Sequence, residues 1–236
     1  FRWTDELGMV NIHASWATGP GWAYSVSADG SVVVGNANDG VISRAFRWTD
    51  DLGMVDLHAS WATGEGIAYS VSADGSAVGG AAHDGEEYRA FRWTSDRGMV
   101  NIHASWASRD GSVYSVSADG SVVVGSAYHG VDEKYRAFRW TSDLGMVNLQ
   151  VDSDWATGHG WANSVSADGS VVVGNANDGV TDLAFRWTDD LGMVNLQEDS
   201  DWATGGGWAT SVSADGSVVV GAANDGAKYR AFIYRA

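Results

Sequence analysis

Ser115-Val116-Ser117-Ala118-Asp119-Gly120-Ser121-Val122-Val123-Val124-Gly125 decides the architecture. Its first residues alternate and have little helical character. Asp119-Gly120 is a favoured dipeptide of tight hairpin turns. Val122 to Val124 is a β-branched run suited to a strand. The stretch therefore reads as strand, turn, strand. Its first seven residues recur from Ser25, Ser70, Ser164 and Ser211, so the hairpin is one piece of a repeated unit.

Two further motifs flank each hairpin. Phe-Arg-Trp-Thr begins at Phe1, Phe46, Phe91, Phe138 and Phe185, with a degenerate copy at Phe232-Ile233-Tyr234-Arg235. The steps between them are 45, 45, 47, 47 and 47 residues. Gly-Met-Val begins at Gly8, Gly53, Gly98, Gly145 and Gly192. Five units thus account for nearly all of residues 1–236, which form one domain. In the unit that starts at Ala68, a first strand reaches Ser72 and Asp74-Gly75 turns into a second. Asp84-Gly85 turns into a third strand, Tyr88 to Thr94, and Ser95 to Arg97 lead into a fourth, Gly98 to Ile102. No stretch carries a sustained helical period.

Five four-stranded antiparallel meanders of 45–47 residues predict an all-β, five-bladed β-propeller, with an open β-solenoid as the second choice. The chain starts late in one unit and stops after the third strand of another. Gly8 to Ile12 is therefore expected to complete the blade built from Ser211 to Arg235, closing the ring by pairing the N- and C-terminal segments. Phe1–Thr4 and Phe232–Arg235 compete for one place in that blade. A monomer is expected, with strand exchange between chains as the alternative.

Charge and composition exclude several functions. The chain has 14 Lys+Arg against 30 Asp+Glu, a net charge of −16, opposite to the basic footprint that nucleic acid or an anionic membrane surface demands. It has no cysteine, which excludes disulfides and thiolate metal sites. No apolar run approaches the roughly 20 residues of a membrane-spanning helix. The chain opens on Phe1-Arg2-Trp3, inside a repeat, so no leader peptide is read from it.

Val-Ser-Ala-Asp-Gly-Ser-Val-Val-Val-Gly, then Ala-Phe-Arg-Trp-Thr, then Leu-Gly-Met-Val-Asn-Leu, resembles the HAF repeat of bacterial extracellular proteins across all five units. The resemblance implies a secreted, cell-surface setting and transfers no catalytic residue. The His of the family's His-Ala-Phe is replaced here by Arg44, Arg89, Arg136, Leu183 and Arg230. Gly158-His159-Gly160-Trp161 before Asp168-Gly169, and Gly205-Gly206-Gly207-Trp208 before Asp215-Gly216, are similar to the tachylectin-2 type of five-bladed lectin.

Catalytic constellations are mostly absent: there is no Walker loop, no Gly-x-Ser-x-Gly and no His-Glu-x-x-His. His13, His58 and His103 occupy equivalent places that Gln150 and Gln197 take in the later units, with no repeated partner for metal or acid–base work. Asn36 to Gly40 and Asn175 to Gly179 carry too few carboxylates for a strong calcium loop and read as turns. No cofactor or metal is expected.

The tryptophans are more informative. Trp3, Trp48, Trp93, Trp140 and Trp187 lie in the third strands and are expected to pack between blades. Trp16, Trp61, Trp106, Trp155 and Trp202 lie in the long connections, and Trp22, Trp161 and Trp208 begin first strands. In a propeller these share a face with the loops that carry Asn36, Asn38, Asp39, Asn175, Asn177, Asp178, Asn224 and Asp225. Indole faces beside amides and carboxylates suit a pyranose, which offers an apolar face and hydroxyls that both donate and accept. The expectation is a non-enzymatic, multivalent carbohydrate-binding protein. The alternative is a protein-interaction scaffold whose Trp residues only lock loop to blade, and a hydrolase comes third.

Overall fold

The computed structural model describes residues 2–6 and 8–236. It is all-β, with no helix among the described residues. Four sheets have four strands each: β3–β6 (Gly21–Val26, Val32–Asn38, Ser43–Thr49, Gly53–Asp56), β7–β10 (Gly66–Val71, Ala77–His83, Tyr88–Thr94, Gly98–Asn101), β11–β14 (Ala107–Val116, Val122–His129, Lys134–Thr141, Gly145–Asn148) and β15–β18 (Gly160–Val165, Val172–Asn177, Asp182–Thr188, Gly192–Asn195). A three-stranded sheet, β19–β21 (Gly207–Val212, Val218–Asn224, Tyr229–Arg235), follows them, and a two-stranded one, β1–β2 (Arg2–Thr4, Gly8–Val10), precedes them. Every sheet is an antiparallel meander in sequence order, so the strands fall where the repeat analysis puts them, except that β11 begins at Ala107, within the Ala104 to Ser112 stretch expected as a connection.

The Ser-x-Asp-Gly-Ser turn works by local hydrogen bonding. Between β11 and β12, Asp119 Oδ1 accepts from the Ser121 N–H at 2.9 Å and from the Ser117 hydroxyl at 2.8 Å. The buried Ser117 Oγ in turn accepts from the Val122 N–H at 3.0 Å. Gly120 takes φ +69°, a left-handed conformation in which a Cβ is strained. Gly125 serves a different need: a Cβ there would lie 1.9 Å from the Ser112 carbonyl oxygen, so the neighbouring inner strand approaches this closely only where a side chain is missing.

Sheets pack face to face. Phe46, Phe91, Phe138 and Phe185 are fully buried among the valines of the second strands. Equivalent contacts recur at most of the junctions. The Ala28 N–H donates to the Ala73 carbonyl, Ala118 to Ala167 and Ala167 to Ala214, all at 2.9 Å. The guanidinium groups of Arg2, Arg47, Arg92 and Arg139 lie over Trp48, Trp93, Trp140 and Trp187 of the following sheet, 5.3–5.8 Å from the ring centres. Trp48, Trp93, Trp140 and Trp187 thus pack between sheets, as their spacing suggests, whereas Trp3, of the same set, is exposed.

The chain ends differ from expectation. β2 pairs with β1, matching Trp3 with Met9 and Thr4 with Gly8, and does not pair with β21. Arg2 also forms an ion pair with Asp50 at 2.6 Å, which ties the hairpin to the first complete sheet. The expected joining of the two ends is therefore not made here: β1 holds the edge of β2 that β21 would need.

Candidate functional site

The connection tryptophans are engaged by the fold. Trp16, Trp61, Trp106 and Trp155 donate their indole N–H to the carbonyls of Met54, Met99, Met146 and Met193 at 3.1–3.2 Å. Each ring thereby clasps the outer strand of its own sheet, with one side against the core. Trp202 stands apart, at 41% exposure.

Most of the Asn and Asp candidates shape turns. Asn38, Asn177 and Asn224 each accept, at 2.8 Å, from the glycine N–H two residues on. Asp39 accepts from the Val41 and Ile42 N–H groups and from Arg44 Nε. Asp178 accepts from Val180 and Thr181, and Asp225 from Ala227, Lys228 and Arg230 Nε. These bonds hold the carboxyl of Asp39 at about 2, led by the Ile42 N–H, and that of Asp225 at about 2, led by the Arg230 side chain. Asn36 is buried, and Asn175 accepts from Asn163 Nδ2 at 3.3 Å. The connection and the second loop do meet: the Gly19 N–H donates to the Asn38 carbonyl at 2.9 Å.

The first-strand tryptophans remain available. Trp22 is 53% exposed, and Trp161 and Trp208 are half-buried. Trp208 meets Tyr229 with ring centres 4.7 Å apart. Trp161 stacks on His159 (5.8 Å, 22°) and on Tyr135 (6.4 Å, 23°). It closes one side of a cleft of about 370 Å³ whose other walls include Tyr69, Tyr88, Tyr114, Tyr135 and Asp110.

The cleft exists because three units differ. Ile67 and Ser112 hold the place that Trp161 holds in its own unit, and Ala81 and Ser126 hold the place of Asn175. These smaller residues leave a hollow beside the one bulky indole. A β-bulge in every inner hairpin then sets the tyrosines. Pairing slips between Ala68 and Ser70 and between Val113 and Ser115, leaving Tyr69 and Tyr114 as the extra residues. Bulges re-aim side chains. Here they line up Tyr24, Tyr69 and Tyr114 with ring centres 5.8 and 6.2 Å apart.

Polar groups converge on the same hollow. The Tyr114 hydroxyl bonds Ser126 Oγ at 2.9 Å. Asp110 Oδ1 accepts from the Tyr88 N–H at 2.9 Å, and the Tyr88 hydroxyl donates to Glu65 at 3.0 Å. Burial, reinforced by Glu65, pushes the Tyr88 phenol up to about 12, and burial raises Tyr69, Tyr114 and Tyr135 as well. The four phenols stay protonated at neutral pH and serve as donors and acceptors. Sequence reasoning missed these tyrosines and Asp110. The available signal was Tyr two places after the Trp position and again just before Arg-Ala-Phe.

No protein-family profile and no curated protein matches the chain. Solved structures do match in shape. TolB from Acinetobacter baumannii superposes with a TM-score of 0.59 at 15% identity, over 92% of this chain and 52% of that one. A putative TolB from Agrobacterium tumefaciens gives 0.60 at 16%, over 92% and 77%. The β-propeller domain of the Trilobed protease from Pyrococcus furiosus, described as having an open velcro topology, gives 0.57 at 10%, over 91% and 66%. The chain spans about half the length of the Acinetobacter protein. At such identities the likeness establishes the fold: repeated four-stranded sheets of the β-propeller type.

Proposed function

We propose that the chain is a non-enzymatic carbohydrate-binding propeller, in which the five repeats form five blades and the cleft beside Trp161 is the principal sugar site. The observation that carries this reading is the convergence of one indole and four phenols on a hollow that also holds a carboxylate and serine hydroxyls. Trp161 supplies a flat apolar face for a pyranose ring. The tyrosine hydroxyls, Ser112, Ser126 and Asp110 supply donors and acceptors for its hydroxyls. A cleft of about 370 Å³ admits a small saccharide and little more.

The sites along the chain are unequal in this reading. Trp22 and Trp208 offer lesser aromatic platforms, and avidity on a glycan surface would add to the main site. The HAF-like repeats suggest a cell-surface setting. A glycan array followed by calorimetric titration tests the proposal. Trp161→Ala is expected to weaken binding at least tenfold, while Trp155→Phe, outside the cleft, leaves it unchanged. A blank array with folded protein favours the scaffold alternative.

A further inference from the structure

The four complete sheets share a device that the last sheet leaves unfilled. Their outer strands β6, β10, β14 and β18 bury Met54, Met99, Met146 and Met193 to 5–8% exposure, and each methionine carbonyl receives an indole N–H. In the first complete sheet, Met54 belongs to a cluster with Ile12, Trp16, Ala17, Ala37, Phe46 and Trp48. The counterparts of those six in the last unit are Leu196, Trp202, Ala203, Ala223, Phe232 and Tyr234. All six line a cavity of about 170 Å³ at the free edge of β21. The cavity therefore stands where a methionine belongs. The Trp202 indole N–H has no acceptor among the described residues.

The matching plug lies at the other end of the chain. Gly8-Met9-Val10-Asn11-Ile12-His13 repeats Gly98-Met99-Val100-Asn101-Ile102-His103 residue for residue. Yet Met9 is 67% exposed and its strand pairs only with the three residues of β1. Within one chain, no strand of β1–β6 pairs with β19–β21.

We infer that the edge of β21 receives the β2 strand of a second copy of this chain, with Met9 of that copy filling the cavity beside Trp202. The internal repeats dictate the register. Trp140 pairs with Met146 and Arg139 with Val147, so Tyr234 meets Met9 and Ile233 meets Val10. The Ile102 N–H donates to the Ala90 carbonyl at 3.1 Å, and the Ala90 N–H to His103 Nε2 at 2.9 Å. Ala231 would exchange the same two bonds with Ile12 and His13. To dock, β2 leaves the short β1, because β21 is held to β20 along seven residues. Plug and cavity are different surfaces, so the contact is head-to-tail. Each copy carries a net charge of −16, so added salt strengthens the association. The inference is independent of the sugar site.

The absence of native cysteine gives a clean test. Val10→Cys and Ile233→Cys are prepared as separate full-length proteins, checked for folding by circular dichroism, mixed and mildly oxidised. The expected product is a reducible mixed dimer that outnumbers either symmetric dimer. Adding Met9→Asp to the Val10→Cys partner should lower its yield at least tenfold; Met9 is exposed, so the change leaves that chain's own fold intact. No mixed dimer, or symmetric dimers in equal amount, overturns the inference. So does a double variant that cross-links within one chain on dilution, because the two ends of the same molecule then meet.

Discussion

His103→Gln should remove an acid sensitivity from the third unit. Burial lowers the His103 imidazole from 6.5 to about 4, with Arg89 adding to the effect and the Ala107 backbone, Asp84 and Asp110 opposing it. Its Nε2 must stay unprotonated to accept the Ala90 N–H at 2.9 Å. A base whose folded pKa lies below its unfolded one contributes full stability above the unfolded value and loses it as pH falls toward the folded one. The loss therefore begins below about pH 6.5 and is complete near pH 4. Linkage between those two values gives a loss of about 2–3 kcal/mol by pH 4.5.

Gln150 and Gln197 show what replaces the imidazole. Their Oε1 atoms accept the equivalent N–H groups, of Ala137 at 3.0 Å and Ala184 at 2.9 Å, and an amide does not titrate. His103 Nδ1 makes no hydrogen bond of normal geometry, whereas Gln150 Nε2 donates to the Ala156 and Gly158 carbonyls. Urea unfolding followed by Trp fluorescence at pH 7.5 and pH 4.5 measures the effect. The variant should match or exceed wild type at pH 7.5 and lose about 2–3 kcal/mol less on acidification. Equal losses in the two proteins would refute the reasoning.

Other expectations follow from the same contacts. Ser117→Ala strands the buried Val122 N–H and should cost about 1–3 kcal/mol in urea unfolding, whereas Ser121→Ala, on the exposed side of the same Asp119, should cost under about 0.5 kcal/mol. Gly125→Ala drives a methyl into the Ser112 carbonyl and should destabilise by about 3 kcal/mol or more, read as a lowered melting temperature. Trp155→Phe, which loses the bond to the Met193 carbonyl, should cost about 1 kcal/mol, while Trp202→Phe in dilute monomer should cost nothing measurable. Below pH 4 a second acid loss should appear. The carboxyls of Asp29, Asp168 and Asp215 lie at about 2, held there chiefly by the Ser31 N–H and by the Ser166 and Ser213 hydroxyls. Their contribution is present above the unfolded value near 4 and disappears as pH falls toward 2, which a pH-dependent melt will show.

The strands were legible because Asp-Gly turns, valine runs and Phe-Arg-Trp-Thr recur at fixed spacing, and local chemistry fixes each turn. Exposure was not legible. Trp16 and Trp22 look alike in the sequence, yet one indole is bonded to Met54 and the other faces outward. Asn38 and Asp39 gave the pattern of a sugar site but serve as turn acceptors. The cleft depends on an absence, the small Ile67 and Ser112 beside Trp161, and on bulges that no periodicity reveals. The free edge of β21 was not legible because β1 and β21 carry equivalent sequence and offer β2 two partners, of which the structure uses β1.

The most direct test of the account is a calorimetric titration of wild type and Trp161→Ala with the best glycan-array ligand. The account predicts a saturable, sugar-competable isotherm for wild type that falls at least tenfold in affinity when the indole is removed. Equal affinity in both proteins would contradict the assignment of the cleft, and no binding by folded wild type to any arrayed glycan would contradict the carbohydrate reading itself.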